Sequence, residues 1–453
     1  MIAALVAALL AVTITIYLSM RARPLTDDPA AFGDDLAGVI GRIRQENTRV
    51  EKEHPGAHVT IVALFPMSGE VSEITMSRQT IRHGLQGIYL AQLWRNRQPE
   101  ARPYVKVLVG SNGPRDWAAT LADLDRRADA ERILAVTGLG ASTETTRRSI
   151  AALSERQFAM TAAVITSDEF RNFRGLARVA PLNSDQAKTV LRLARYFNPK
   201  LKAVVVRDRN RDDSYVRTLA DYFAQAMKPE EVVETLAFDA GARSPGTVLG
   251  LNAERICNSE ANTVLYAGRA DHLPALMTGL SGRVPCIERG IKVISGDDVA
   301  ELNGPPPQPM WGDQSITLFY TALAHSQGVE QPGGPVIEAM KQRFNKSGGP
   351  NSFEALFPNE DRDDGMAIVH HDAMYAAIEA IDKFTQELPG RGDVASVLTS
   401  GTLTVAGASG PIRISDGGDP VDKEIPVLQL GPAGTTTFSR WGKSLTAGSS
   451  APR

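Results

Sequence analysis

The loop Gly138-Leu-Gly-Ala-Ser-Thr143 holds the residue types best suited to chemistry in this chain. Glycines at 138 and 140 let a backbone turn tightly and approach a ligand closely. Ser142 and Thr143 fall where the next helix begins, and free N–H groups and the helix dipole there favour an anion such as an α-carboxylate. Either hydroxyl can equally serve as an ordinary N-cap, which needs no ligand. A dinucleotide site fits less well, because Thr143 stands where the glycine fingerprint wants its third glycine.

Other clusters are weaker. His370-His371-Asp372 offers metal-ligand types, but adjacent residues on a helix do not face each other, so one ion would not take both histidines. Glu360-Asp-Arg-Asp-Asp364 reads as a solvated charged turn, and Arg391-Gly-Asp393 as a turn before a helix. No Gly-x-Ser-x-Gly elbow, Walker-type phosphate loop or His-Glu-x-x-His helix occurs. Neither cysteine has an obvious histidine partner. The expectation is a binder rather than an enzyme, with no cofactor and no metal. Forty-nine Lys and Arg stand against 52 Asp and Glu, a net charge of −3, so there is no basic excess to hold nucleic acid.

The elements that must position these residues fill 453 positions, enough for two or three folding units, with an ordinary globular 43% hydrophobic and 22% charged residues. Met1 to Met20 carries no charged side chain and is long enough to cross a bilayer as a helix. A cleaved signal would want positive charge ahead of the apolar run and a small-x-small site after it, so an uncleaved single-pass anchor is expected over residues 1–20. Arg21 and Arg23 would favour the cytoplasmic side, against an external binding domain, and a natural chain extending upstream of Met1 with a basic segment would reconcile the two. Residues 21–55 read as a linker and a stalk helix, with Leu36, Ile40, Ile43 and Val50 on one side of Asp34 to Glu53.

Short β-branched runs then alternate with amphipathic helices. Strands are expected at His58–Leu64, Val105–Val109, Ile133–Thr137 and Phe158–Ala162, and again at Lys202–Arg207, Val232–Leu236 and Thr263–Ala267. Two rounds of this alternation predict two lobes, each a parallel sheet covered by helices. Helices are expected near Ile316–Ala324, Pro335–Phe344 and Asp364–Phe384, and strands at Gly407–Ser415 and Ile425–Leu430. Cys257 and Cys286 flank one strand–helix unit. They form either a bridge, given an extracellular setting, or two separate buried thiols.

Several stretches carry a family likeness: Val59–Gly69, His83–Gln92, Val136–Thr146, Met160–Glu169, Ala177–Gln186 and Val405–Asp419. In order and spacing they resemble the leucine/isoleucine/valine-binding proteins of ABC importers, type I periplasmic binding proteins, in a membrane-anchored form. The resemblance spans roughly Val59 to Leu430. It implies two Rossmann-like α/β lobes joined by three crossovers, at about Pro181, Gly312 and Ser400. Lobe 1 would be residues 56–180 plus 313–400, lobe 2 residues 181–312 plus 401–440, and 441–453 a tail. A ligand would lie in the cleft, trapped by hinge closure.

The resemblance also implies roles. Ser142 would bind the ligand's carboxylate. Thr166, with carbonyls near Val164 and Ile165, would receive the carboxylate or ammonium, or merely cap a turn. Asp297 of Ser295-Gly-Asp-Asp298 would pair the ammonium, or cap the next helix. Arg269 stands where relatives place an aromatic, and suggests a second anionic group on the ligand unless Asp271 neutralises it. Tyr215 would line the cleft or pack its helix, and Met67 and Ser68 would form a rim. Arg269 and the bulk of Val164-Ile165 disfavour a plain branched-chain amino acid. The implied function is extracellular binding of an amino-acid-like solute for an ABC permease, at the cell membrane. The alternative is a ligand-sensing ectodomain coupled to a signalling domain.

Overall fold

The computed structural model describes residues 24–69, 75–99, 103–304, 306, 309–312, 314–327 and 337–443. Six strands form the first sheet: β1 Leu25–Thr26, β2 His58–Phe65, β3 Tyr104–Ser111, β4 Ile133–Gly138, β5 Ala159–Ala162 and β6 Leu176–Arg178, in the order β1-β3-β2-β4-β5-β6. All pair in parallel except β1. Val59 to Phe65 is buried without a break, as in a strand covered by helices on both faces.

The second sheet repeats the pattern with β7 Ala203–Asp208, β8 Val232–Phe238, β9 Thr263–Ala267, β10 Lys292–Ser295 and β11 Thr317–Thr321. A small sheet follows, of β12 Thr404–Gly407, β13 Gly410–Ile414 and β14 Pro420–Val421. Strands β15 Glu424–Leu430 and β16 Thr436–Lys443 then complete the second sheet antiparallel, in the order β16-β15-β11-β10-β9-β7-β8. In each parallel core the second strand lies outside the first and later strands are added on the other side. This doubly wound order opens a crevice at the carboxyl ends of the strands.

The chain first crosses between Arg178 and the helix Asn183–Phe197, as expected near Pro181. The second crossing is not at Gly312. Thr317–Thr321, expected to be helical within Ile316–Ala324, is a strand paired in parallel with β10, so the chain returns only beyond Thr321. A short apolar run cannot be told apart as helix or strand by periodicity, and here the register with β10 decides. The third crossing also moves. Strands β12 to β14 sit with the first lobe against the helix Met366–Ile381, so the crossing falls between Val421 and Glu424 rather than at Ser400. Strand β16 runs into the stretch expected as a tail, and residues 444–453 lie outside the described residues.

The helix Asp34–Glu53 has the predicted extent but is no stalk. Leu36, Val39, Ile40, Ile43 and Val50 are buried in the first lobe. Asn47 clips the helix to β3, donating to the Val107 oxygen at 2.7 Å and accepting from its N–H at 2.9 Å. The helix Met366–Ile381 is buried nearly all round and crosses the helix Arg78–Asn96 at Gly87, where an added Cβ would come within 2.0 Å of the Ala367 oxygen. The expected anchor Met1–Met20 lies outside the described residues, among which no helix is long and apolar enough to cross a membrane.

Cys257 and Cys286 form a disulfide, with Cα atoms 5.0 Å apart and a sequence separation of 29. The bridge ties the end of the helix Pro245–Cys257 to the helix Val284–Arg289. Replacing both cysteines by serine is expected to lower the second lobe's stability by about 3–4 kcal/mol, from the chain entropy the bridge removes. Denaturant unfolding of the double variant, set beside wild type with and without reductant, measures this.

Candidate functional site

The lobes meet at the carboxyl ends of their strands. The loop after β4 turns sharply, with positive φ at Gly138, Leu139 and Gly140 (90°, 71° and 81°). That conformation strains a leucine, and the Leu139 backbone is held on both sides, its N–H donating to Leu64 and its oxygen accepting from Asn112 Nδ2. The turned loop touches the second lobe directly. Ser214 Oγ and the Tyr215 N–H donate to the Ser142 oxygen at 3.0 and 3.3 Å, and the Glu144 N–H donates to Asp212 at 2.9 Å. Arg217 of the second lobe pairs with Glu169 of the first.

Ser142 is buried, and its Oγ accepts from the N–H groups of both Thr166 and Ser167 at 3.1 Å. Two backbone donors that a carboxylate could use on this wall are thus engaged by the chain itself, while the Ser142 hydroxyl keeps its own proton to donate. Thr143 is the N-cap of the helix Glu144–Glu155, its Oγ1 accepting from the Thr146 N–H at 3.2 Å. Thr166 Oγ1 is buried with no hydrogen-bond partner among the described residues.

On the other side, Asp297 opens a 3-10 turn, Asp297–Leu302, after β10. Gln186 grips it twice: Nε2 donates to Asp297 Oδ1 at 2.7 Å, and Oε1 accepts from the Asp297 N–H at 3.0 Å. The carboxylate is 6% exposed and has no ion-pair partner among the described residues. Burial lifts it to about 7, against the hydrogen bond from Gln186. Glu301, in the same turn, reaches the first lobe, accepting from Thr80 Oγ1 at 2.7 Å and the Ser77 N–H at 3.3 Å. Burial again lifts it to about 7, with Asp298 adding to the effect.

Arg269 corrects an expectation. Its guanidinium is used within its own lobe, by Asp213 at 2.7 and 3.0 Å and by Asp298 at 2.6 Å, rather than kept for a ligand anion. Asp271 is not its partner. Burial opposes the charge, but Asp213 and Asp298 outweigh it and hold the guanidinium well above its ordinary value. Tyr215 lies beneath it, the guanidinium carbon 4.5 Å from the ring centre, and its hydroxyl accepts from the Asp298 N–H at 3.3 Å. Burial and the neighbouring Asp297 and Asp298 push that phenol well up.

Ser142, Tyr215, Arg269 and Asp297 therefore line one cavity, together with Thr80 and Glu301. Its volume is about 20 Å³, room for about one water molecule but not for an amino acid. Thr143, Thr166 and Ser68 do not line it. Ser68 packs against Gly113, where an added Cβ would come within 2.2 Å of its oxygen. A chamber of about 510 Å³ adjoins the cavity and shares Met76, Arg269, Asp298 and Glu301 with it. Sequence reasoning missed Gln186 and Glu301 as site residues; the only signal for Glu301 was its place one turn beyond Asp297. His370, His371 and Asp372 are buried, with His370 held to about 4 by burial. Asp372 instead accepts from the N–H groups of Ala408 and Ser409, and no metal-binding cluster occurs among the described residues.

Two lobes, doubly wound sheets and a cleft at the strand ends match solved binding proteins. The leucine-binding protein LivK of Thermotoga maritima superposes with a TM-score of 0.60 at 18% identity, over 84% of this chain and 98% of its own. The chain has the type I periplasmic binding fold. The branched-chain amino-acid binding protein LivJ of Streptococcus pneumoniae, in complex with isoleucine, gives 0.62 at 15% identity, over 85% and 99%. An ABC-transporter solute-binding protein of Rhodopseudomonas palustris, in complex with 3,4-dihydroxybenzoic acid, gives 0.60 at 13%, over 86% and 98%. No family model matches the sequence, and no curated protein matches it. At these identities the likeness is one of fold.

Two predictions concern the charges of this type I periplasmic binding fold. Arg269→Met strands Asp213 and Asp298 as buried, unpaired carboxylates and is expected to cost about 3–5 kcal/mol in denaturant unfolding. Asp297 and Glu301 bind protons more tightly folded than unfolded. Their contribution to stability is complete below about pH 4 and is lost as pH rises through about 7. The melting temperature of the unliganded protein should therefore fall between these limits, and less steeply in the variant Asp297→Asn/Glu301→Gln.

Proposed function

We propose that this protein is an extracellular solute-binding clamp whose lobes close on a small ligand carrying an ammonium group, for delivery to a membrane permease. The observation that carries this reading is Asp297, a carboxylate buried between the lobes, held in place by Gln186 and lacking an ionic partner among the described residues. A buried carboxylate without a cation is costly, and an ammonium brought to it in a closed cleft makes a strong charge-assisted bond. The three crossings allow the lobes to separate, and a ligand must enter from such an open form because the closed cavity would not admit it. The disulfide fits an oxidising compartment outside the cell.

The solved proteins of like fold support solute binding as the general role, and two of them hold isoleucine and 3,4-dihydroxybenzoic acid. A ligand-sensing ectodomain is the second reading. It is favoured by the packing of Asp34–Glu53 into the first lobe, which would join that lobe rigidly to an anchor at residues 1–20. Melting in the presence of amino acids and simple amines tests the clamp. A ligand at a hundred times its dissociation constant adds about 2.7 kcal/mol of stability. Asp297→Asn should weaken any such ligand by roughly tenfold to a hundredfold, the worth of a hydrogen bond to a charged group. Tight binding of an amine-free ligand that survives this substitution would overturn the role given to Asp297.

A further inference from the structure

The chamber beside the Asp297 cavity has an unusual charge balance. Among the described residues two arginines line it, and both are committed elsewhere: Arg78 to Asp35 at 2.7 and 2.9 Å, and Arg269 to Asp213 and Asp298. His272, the remaining base, stands 3.6 Å from Asp271. The acids are not balanced in the same way. Asp208 ends β7 on the chamber wall and is 2% exposed. Its Oδ1 accepts from the N–H groups of Asn210 and Ala240, each at 3.1 Å, while its Oδ2 is buried with no hydrogen-bond partner among the described residues. Burial raises the Asp208 carboxyl above its ordinary range. Glu301, on the side shared with the inner cavity, accepts from a hydroxyl and an N–H but has no cation among the described residues.

An anionic group on the ligand would therefore meet no free guanidinium here. On the first lobe it would meet no free backbone N–H at Thr166 or Ser167, since Ser142 Oγ accepts from both, and the hydroxyls of Ser142 and Thr166 remain there to donate. A cation is favoured at both ends instead: Asp297 and Glu301 inside, Asp208 outside. Between them, Met76, Leu302 and Ala240 give the chamber apolar wall for a short methylene chain. Asp208 and Asp297 are buried and Glu301 is half-buried, none with an ion-pair partner among the described residues, and an ammonium would offset the cost of their charges.

We propose that the ligand is a small aliphatic diamine, one ammonium meeting Asp297 and Glu301 between the lobes and the other meeting Asp208 across the chamber. The assignment rests on the reading of the cleft as a solute clamp, and it reverses the second anionic group that Arg269 suggested. Part of the site, the chamber of about 510 Å³, is already open in the closed form.

Calorimetric titration of the full-length chain at pH 8 with 1,5-diaminopentane, pentylamine, leucine and glutamate tests the proposal. The diamine is expected to bind at least tenfold more tightly than pentylamine, and both amino acids more weakly than the diamine. Asp208→Asn keeps the acceptor for Asn210 and Ala240, and should bring the diamine to the affinity of pentylamine. An unliganded melting temperature no lower than wild type shows that the variant is folded. Binding of leucine or glutamate without binding of the diamine overturns the diamine and leaves the clamp standing. A diamine advantage that persists in Asp208→Asn overturns the place given to the second ammonium. Failure of all four ligands overturns the clamp together with the diamine.

Discussion

The pairing of Arg269 with Asp213 and Asp298 holds the second lobe's face of the cleft together. The three residues come from the loops after β9, β7 and β10, three separate stretches of chain. Asp213 also caps the helix Ser214–Ala226, accepting from the N–H groups of Tyr215 and Val216. Asp298 also accepts from the Ala270 N–H at 2.7 Å. One guanidinium thus fixes three strand ends into a single platform, with Tyr215 packed beneath it. A planar, always-charged group with a fork of donors can do this, where a lysine would offer only a point charge.

That platform decides what the cleft can take. Because Arg269 is bound to Asp213 and Asp298, its charge offsets Asp297 only in part, and burial still lifts Asp297 and Glu301 to about 7. The first lobe treats its own donors in the same manner, spending the N–H groups of Thr166 and Ser167 on Ser142. The backbone donors of the first lobe and the guanidinium of the second are thus engaged internally, while Asp297 and Glu301 have no ion-pair partner among the described residues. The direct contacts from Ser142 and Glu144 to the second lobe follow from the same economy, since no ligand is needed to complete those hydrogen bonds.

The crossings that join the lobes are pinned as firmly as the site. At the first, buried Arg178 donates to Asp419 and to the Ser167 oxygen, tying β6 to the segment after β13. At the third, Lys423 Nζ donates to the Ser409 oxygen and hydroxyl at 2.8 and 2.7 Å, beside Asp372 of the helix Met366–Ile381. Burial lowers that lysine to about 8. Such buried, fully bonded charges leave the connecting strands few alternative positions, so that motion between the lobes is confined to the residues between the pinned points.

Much of the fold was written locally. The alternation of β-branched runs and amphipathic helices, the helix Asp34–Glu53 and the strand Thr263–Ala267 need only short-range periodicity, and the sequence carries it. The loop Gly138–Thr143 was legible for a similar reason, since two glycines and a capping hydroxyl announce a turn into a helix. The sequence alone left other matters to the tertiary structure. Thr317–Thr321 became a strand because β10 and β15 were there to pair with it. Cys257 and Cys286 became one bridge because two helices brought their Cα atoms within 5.0 Å. The sequence also placed Asp297 and Arg269 in the cleft, but not their meaning. Whether an arginine awaits a ligand or already serves its own lobe depends on carboxylates 56 and 29 residues away, and only the folded chain fixes those distances.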